Sequence, residues 1–213
     1  MRLLGLSFDS RFHGSRASAA ILALTFLAAL SARAQDDDVR LPLAQTLDLI
    51  DGRGQPVKTT DFPGKWLFVY FGYTHCADLC PWGLTVMADA LDQIGPATRH
   101  LQPLFVTVDP ERDHGPMLIE FTRSFHDKLL GLTGTQAQIR AAANAMGVKF
   151  QRVVQGADYS VDHSSSYSLI GPDRKTVLTF RKAEAHMVAA KIIDVLGKAG
   201  ASLEGVNNIG AFR

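Results

Sequence analysis

Cys76 and Cys80 are the only two cysteines of this 213-residue chain, and they stand in FGYTHCADLCPWGL as a C-x-x-x-C pair closed by Pro81. Residues 66–71 before them form a short apolar and aromatic run of the kind that makes a buried strand. From Pro81 onward, apolar residues recur at helical spacing. The pair therefore stands at a strand-to-helix junction. With Pro81 at the first helical position, Cys80 is expected near the N-cap and Cys76 in the loop. Unpaired N–H groups and the positive end of a helix favour thiolate over thiol there. Thiolates bind soft metals and attack disulfides. A structural disulfide is the third use, but a bridge closing so small a loop removes little unfolded-state entropy and stabilises weakly.

His163 is the second candidate, in the polar stretch Tyr159-Ser160-Val161-Asp162-His163-Ser164-Ser165-Ser166-Tyr167, read as a loop just before a β-hairpin. Two thiolates and one imidazole make a soft donor set suited to copper. Zinc in the same set needs a fourth ligand or a water. A solvated loop histidine is the competing reading. His75, next to Cys76, is expected to point away from the thiols, and Asp78 between the cysteines is either a weak axial oxygen or a solvated side chain. Asp109-Pro110-Glu111-Arg112-Asp113 follows a strand, either as a surface charge cluster or as support or docking surface at the sheet's C-terminal edge. His13, His100, His114, His126 and His186 have no partner spacing, and the five Met show no Met-x-x-Met run.

The elements that must position these residues are legible along the chain. Strands are expected at 46–50, 57–59, 66–71, 104–108, 129–132 and 150–154, and a hairpin at 167–170 and 176–180 around Gly171-Pro172-Asp173-Arg174. Helices are expected at 81–94, 117–125 and 184–196, and a fourth ends at Met146, opened by the capping box Thr135-Gln136-Ala137-Gln138 and stopped at Gly147. Alternating strands and helices predict an α/β fold with a central mixed sheet, helices on both faces and an N-terminal β-hairpin extension. A cysteine pair at a β→α junction with a closing hairpin and helix makes that core thioredoxin-like.

The chain is 46% hydrophobic and 20% charged, with a formal net charge of +1, so nothing in its charge suggests a nucleic-acid surface. Arg2, Arg11 and Arg16 precede an apolar run at 17–30 and then Ala32-Arg33-Ala34, the pattern of an export signal. Cleavage after Ala34 would leave Gln35 first, take away four Arg and one Asp, and change the net charge to −2. The apolar run falls short of the roughly 20 residues that span a bilayer. The expected organisation is a signal or anchor at 1–34, a linker at 35–43, one domain at 44–198 and a tail at 199–213. The expected location is the periplasm, free or held at the inner membrane by the N-terminal segment. In such an oxidising compartment a lone cysteine pair usually becomes a disulfide.

Three motifs in order, Tyr73-Thr74-His75-Cys76-Ala77-Asp78-Leu79-Cys80-Pro81, Val108-Asp109-Pro110-Glu111-Arg112-Asp113 and Val161-Asp162-His163-Ser164, closely resemble the Sco/SenC family. The resemblance covers about residues 43–196. It implies a thioredoxin-fold copper chaperone for cytochrome c oxidase assembly, with Cys76, Cys80 and His163 as copper ligands. Ala77 stands where the family commonly has Pro, and His114 where it often has Thr. The implied partners are the copper-bearing subunit of the oxidase, other copper carriers and a thiol reductant, met by a monomer that is not an enzyme. The competing expectation is an exported thiol–disulfide oxidoreductase with Cys76 and Cys80 as its redox pair; a peroxide-reducing variant ranks third. Such oxidoreductases commonly carry C-x-x-C and a Pro before the hairpin's first strand. This chain has C-x-x-x-C, and Ser164–Ser166 without Pro.

Overall fold

The computed structural model describes residues 39–40, 47–76, 79–181 and 184–200, with backbone alone for Val39, Arg40, Leu79 and Cys80. The expected signal segment, most of the expected linker, Ala77, Asp78 and the end of the expected tail lie outside the described residues.

The strands are β1 (Val39–Arg40), β2 (Asp48–Asp51), β3 (Pro56–Lys58), β4 (Trp66–Gly72), β5 (Leu101–Thr107), β6 (Leu130–Thr133), β7 (Phe150–Gln155), β8 (Asp158–His163), β9 (Ser166–Ile170) and β10 (Val177–Arg181). The helices are α1 (Leu79–Ile94), α2 (Gly115–Arg123), α3 (Gln136–Ala145) and α4 (Ala185–Lys198). Eight strands form one sheet in the order β1-β10-β9-β4-β5-β6-β2-β3, and β7 and β8 pair separately. The central β4, β5 and β6 run parallel, while β9 and β2 flank them antiparallel. The mixed sheet with helices on both faces and the N-terminal β2–β3 hairpin at one edge are the architecture expected from the pattern.

Every residue of β4 is buried, because this strand lies mid-sheet and is covered on both faces. Leu67, Val69 and Phe71 enter one core with Leu104, Val106 and the α3 residues Ile139, Ala142 and Ala143. Phe68 and Tyr70 enter the other with Leu84, Met87 and Leu91 of α1 and Val188, Ala189 and Ile192 of α4. The period-2 alternation of a strand thus feeds two cores and anchors the end of β4, from which the cysteine loop departs.

Four elements differ from the sequence expectation. Helix α1 begins at Leu79, two residues before the expected Pro81, so Cys80, expected near the N-cap, lies just inside the first turn. β5 starts at Leu101, although Pro103 reads as a strand breaker. Pairing with β6 begins only at Leu104, so Pro103 lies beyond that ladder. The segment 158–163, expected as loop, is strand β8, and it pairs with β7 in a two-stranded sheet apart from the main one. Val39 and Arg40, inside the expected linker, pair with β10. Elsewhere the local signals held: Thr135 caps α3 with a reciprocal capping box, and Gly147 leaves that helix at φ 67°.

At Gly83, α1 lies directly against the sheet. A Cβ there would stand 2.4 Å from Tyr70 Oη and 2.6 Å from its Cζ, and the Gly83 carbonyl accepts the Tyr167 hydroxyl at 2.7 Å. Burial holds the Tyr167 phenol far above the usual tyrosine range, so it remains a donor. Overpacking at such a site costs about 1–3 kcal/mol, against a helix-propensity gain of about 1 kcal/mol for alanine. Gly83→Ala is therefore expected to lower stability by up to about 2 kcal/mol in urea denaturation of the reduced chain. Adding Tyr70→Phe, which removes the closest atom, should restore part of the loss.

Candidate metal centre

Parallel pairing brings the C-terminal ends of β4 and β5 side by side, with Gly72 opposite Thr107 and the Val108 N–H donating to the Gly72 carbonyl at 2.8 Å. The cysteine loop leaves from β4 and the Asp109–Asp113 turn from β5. At such an edge of an open α/β sheet, ligands bind.

Asp113 ties the two exits together. It is 0% exposed. Its Oδ2 accepts the Thr74 N–H at 2.8 Å and the Thr107 hydroxyl at 2.7 Å, and its Oδ1 accepts the Thr74 hydroxyl at 2.5 Å. A carboxylate buried this deeply is stable only with such donors around it. Thr74 is two residues before Cys76, so this bracket sets where the first thiol begins. Cys76 itself is half-buried and packs against the core that contains Tyr73 and Val161.

Asp109 ties the same turn to the β7–β8 hairpin. It is 2% exposed; its Oδ1 accepts the Tyr159 hydroxyl at 2.9 Å, and its Oδ2 accepts from Arg112 Nε. The Tyr159 ring lies between the guanidinium groups of Arg112 and Arg152, each 3.8 Å from its centroid. Arg152 pairs with Glu111, and Arg112 Nη1 reaches Asp158 at 3.3 Å. Desolvation, then the hydrogen bond to Asp109, raise the Tyr159 phenol above its ordinary range and keep it a donor. For Arg112, partial burial acts downward, but the hydrogen bond and charge of Asp109 outweigh it and the net shift is upward. The sequence reading had the charged turn as a surface cluster or a support. Burial of both aspartates makes it a support.

His163 ends β8, opposite Phe150, and its ring stands edge-on to Tyr73 at 6.1 Å between centroids. Its Nδ1 is 3.0 Å from the Ser164 carbonyl. A carbonyl only accepts, so Nδ1 carries the proton and the lone pair of the neutral ring is on Nε2. Ligating histidines are commonly held this way. The hairpin and the cysteine loop therefore converge on Tyr73. Among the described residues, no group of three His, Cys, Asp or Glu side chains is close enough to hold a metal. The side chains of Cys80 and Asp78 lie outside the described residues. His75 turns its Nδ1 to Thr74 and Asp113, His126 faces Asp92 at 3.7 Å, and His114 precedes α2. Thr74, Thr107 and Tyr159 were not singled out from the sequence, because their roles arise from partners far along the chain.

Residues 35–197 match the SCO1/SenC family. The chain belongs to this family. Its relatives include the human mitochondrial SCO2 homolog, 39% identical over 129 residues, which are 59% of this chain and 48% of that protein. The human mitochondrial SCO1 homolog is 40% identical over 124 residues, 56% of this chain and 41% of that protein. The chain thus spans about half the length of the curated relatives it matches. Among solved structures, Arabidopsis thaliana ScoI with copper bound superposes with a TM-score of 0.68 at 32% identity, covering 72% of this chain and 98% of that one. Yeast Sco1 with copper bound gives 0.66 at 32% identity, covering 73% and 88%. The thioredoxin-like expectation of fold accords with these neighbours.

The double bracket makes a quantitative expectation. Asp113→Ala leaves the Thr74 N–H and the buried Thr107 hydroxyl without their acceptor, a loss of about 3 kcal/mol. Asp113→Asn keeps one acceptor oxygen and should cost less. Tyr159→Phe removes a single bond to a carboxylate, about 1.5 kcal/mol, and a double-mutant cycle with Asp109→Asn should show coupling. Urea denaturation of the metal-free, reduced chain measures all three.

Proposed function

We propose that this SCO1/SenC protein is a copper-binding chaperone that delivers copper to the dinuclear copper centre of cytochrome c oxidase, and that Cys76, Cys80 and His163 hold the cargo. The observation that carries this reading is the orientation of His163. Its Nδ1–H is committed to the Ser164 carbonyl, which leaves Nε2 to ligate, on a hairpin clamped to the same turn that holds the Cys76 loop. A thiol–disulfide reductase has no use for such an imidazole. The copper-bound plant and yeast relatives support the choice of metal.

Thiolate sulfurs select Cu(I), and three ligands leave room for an incoming ligand to add before one departs. Delivery is then ligand exchange across a docked interface, with no net redox change. Cys80 in the first turn of α1 lies where unpaired N–H groups and the helix dipole favour the thiolate. Trp82, 45% exposed just past Pro81, offers an apolar contact for a docked partner. The N-terminal residues 1–34 are proposed as an export signal or anchor and the periplasm as the site of action; no described helix is long and apolar enough to cross a membrane.

Cu(I) loading under reducing conditions should give one tightly held copper per chain, lost in Cys76→Ser, Cys80→Ser. His163→Ala leaves both sulfurs and should weaken Cu(II) binding most, because Cu(II) favours nitrogen donors more than Cu(I) does. The test is oxidase assembly in cells carrying only the His163→Ala chain, beside disulfide reduction by the purified protein. Failed assembly with intact reduction is expected. Normal assembly would overturn the reading and favour the thiol–disulfide oxidoreductase.

A further inference from the structure

A groove of about 500 Å³ opens at the end of the sheet opposite the cysteine loop. Trp66, the first residue of β4, lines it, six residues or about 20 Å along the strand from Gly72. Pro172, Thr176 and Leu178 line it from the β9–β10 turn and β10, and Val195 and Ala199 from the end of α4. Trp66, Leu178 and Val195 all belong to the core that α1 and α4 share, so the groove is a continuation of that core to the surface. Leu178 and Val195 stay only half-buried in it. Adjoining apolar side chains left uncovered in this way mark a surface that something covers.

The end of α4 points to the occupant. The Ala199 N–H donates to the Val195 carbonyl at 3.1 Å and the Gly200 N–H to the Gly197 carbonyl at 3.0 Å, which closes the helix. Gly200 then takes φ 75°, the left-handed turn that reverses a chain after a helix and that glycine adopts without strain. The chain therefore turns at Gly200, next to Ala199, which is itself part of the groove. In the sequence that follows, Leu203, Val206, Ile209 and Phe212 recur at every third position among polar residues and glycines. Leu203 is three residues past Gly200 and Val206 six, a reach of about 10 and 20 Å for extended chain. The other stretch beside β10 outside the described residues, 41–46, leads to Leu47, which is buried in the core on the opposite face with Leu49 and Ile139.

We propose that the groove is the docking site of the chain's own segment 201–213, which turns back at Gly200 and seats Leu203 and Val206 against Trp66, Leu178 and Val195. The segment then acts as a cover that completes the α1–α4 core and withholds its apolar rim from other proteins. The inference does not depend on the copper reading, because the groove and the cysteine loop stand at opposite ends of β4.

The test is NMR on the full, reduced chain with methyl-labelled Leu and Val. Nuclear Overhauser contacts are expected from the Leu203 and Val206 methyls to the Trp66 indole and the Val195 methyls. Their absence would overturn the proposal. In an equal mixture of labelled and unlabelled chains, the same contacts should remain within one chain. Contacts between chains would overturn it in favour of a second copy as the occupant. A soluble gadolinium chelate gives a second measurement. In the variant Leu203→Ser, Val206→Ser its relaxation effect on the Leu178 and Val195 methyls should increase, while that on the Leu84 methyls, buried under α1, stays the same. An unchanged effect at Leu178 and Val195 would overturn the proposal. Should the variant not fold, the contacts in the unsubstituted chain decide alone.

Discussion

Asp113 has no exposed surface, and donors from two chain segments converge on its carboxylate. A charge in that position is tolerated only while those donors stay, and the donors are held only while the charge stays. The exit of β4, the end of β5 and the turn after it are therefore one unit, not three loops meeting by chance. The first thiol inherits its position from this unit, since only His75 separates Thr74 from Cys76.

A second layer of contacts passes that order on to the histidine. Tyr159 is at once an aromatic plate between two guanidinium groups and a donor to Asp109. An ion pair on an exposed surface contributes little by itself. Here Arg112 and Asp109 are mostly shielded, and the ring excludes water from one side, so each contact strengthens the next. The β7–β8 hairpin has little hydrophobic burial of its own, and this latch compensates for that. Phe150, Tyr159 and Val161 supply what burial there is, against the core that Cys76 also touches.

The sheet explains why both supports meet in one place. Parallel β4 and β5 end at the same level, and their loops emerge at the edge where helix N-termini also point. Close contact of α1 with the sheet at Gly83 and the hydroxyl of Tyr167 then fix the helix that carries Cys80. In this chain, a member of the SCO1/SenC family, the scaffold also brings the histidine-bearing hairpin, through the contact of His163 with Tyr73, to the exit of β4 from which the cysteine loop departs.

Local signals in the chain determined much of this. The C-x-x-x-C pair at a strand-to-helix junction, the β/α alternation, the capping box at Thr135 and the stop at Gly147 depend on neighbours within a few residues, where periodicity and side-chain chemistry act directly. His163 was identifiable as a ligand candidate from its motif. The tertiary structure decided what long separations control. Thr74 meets Asp113 across 39 residues and Tyr159 meets Asp109 across 50, and no local pattern encodes either pair. For the same reason segment 158–163 read as a polar loop: its alternation is blunted by exposure, and its pairing with β7 and its latch make it a strand. Which nitrogen of His163 carries the proton is likewise invisible in sequence, because it follows from a single acceptor atom placed within hydrogen-bonding distance by the fold.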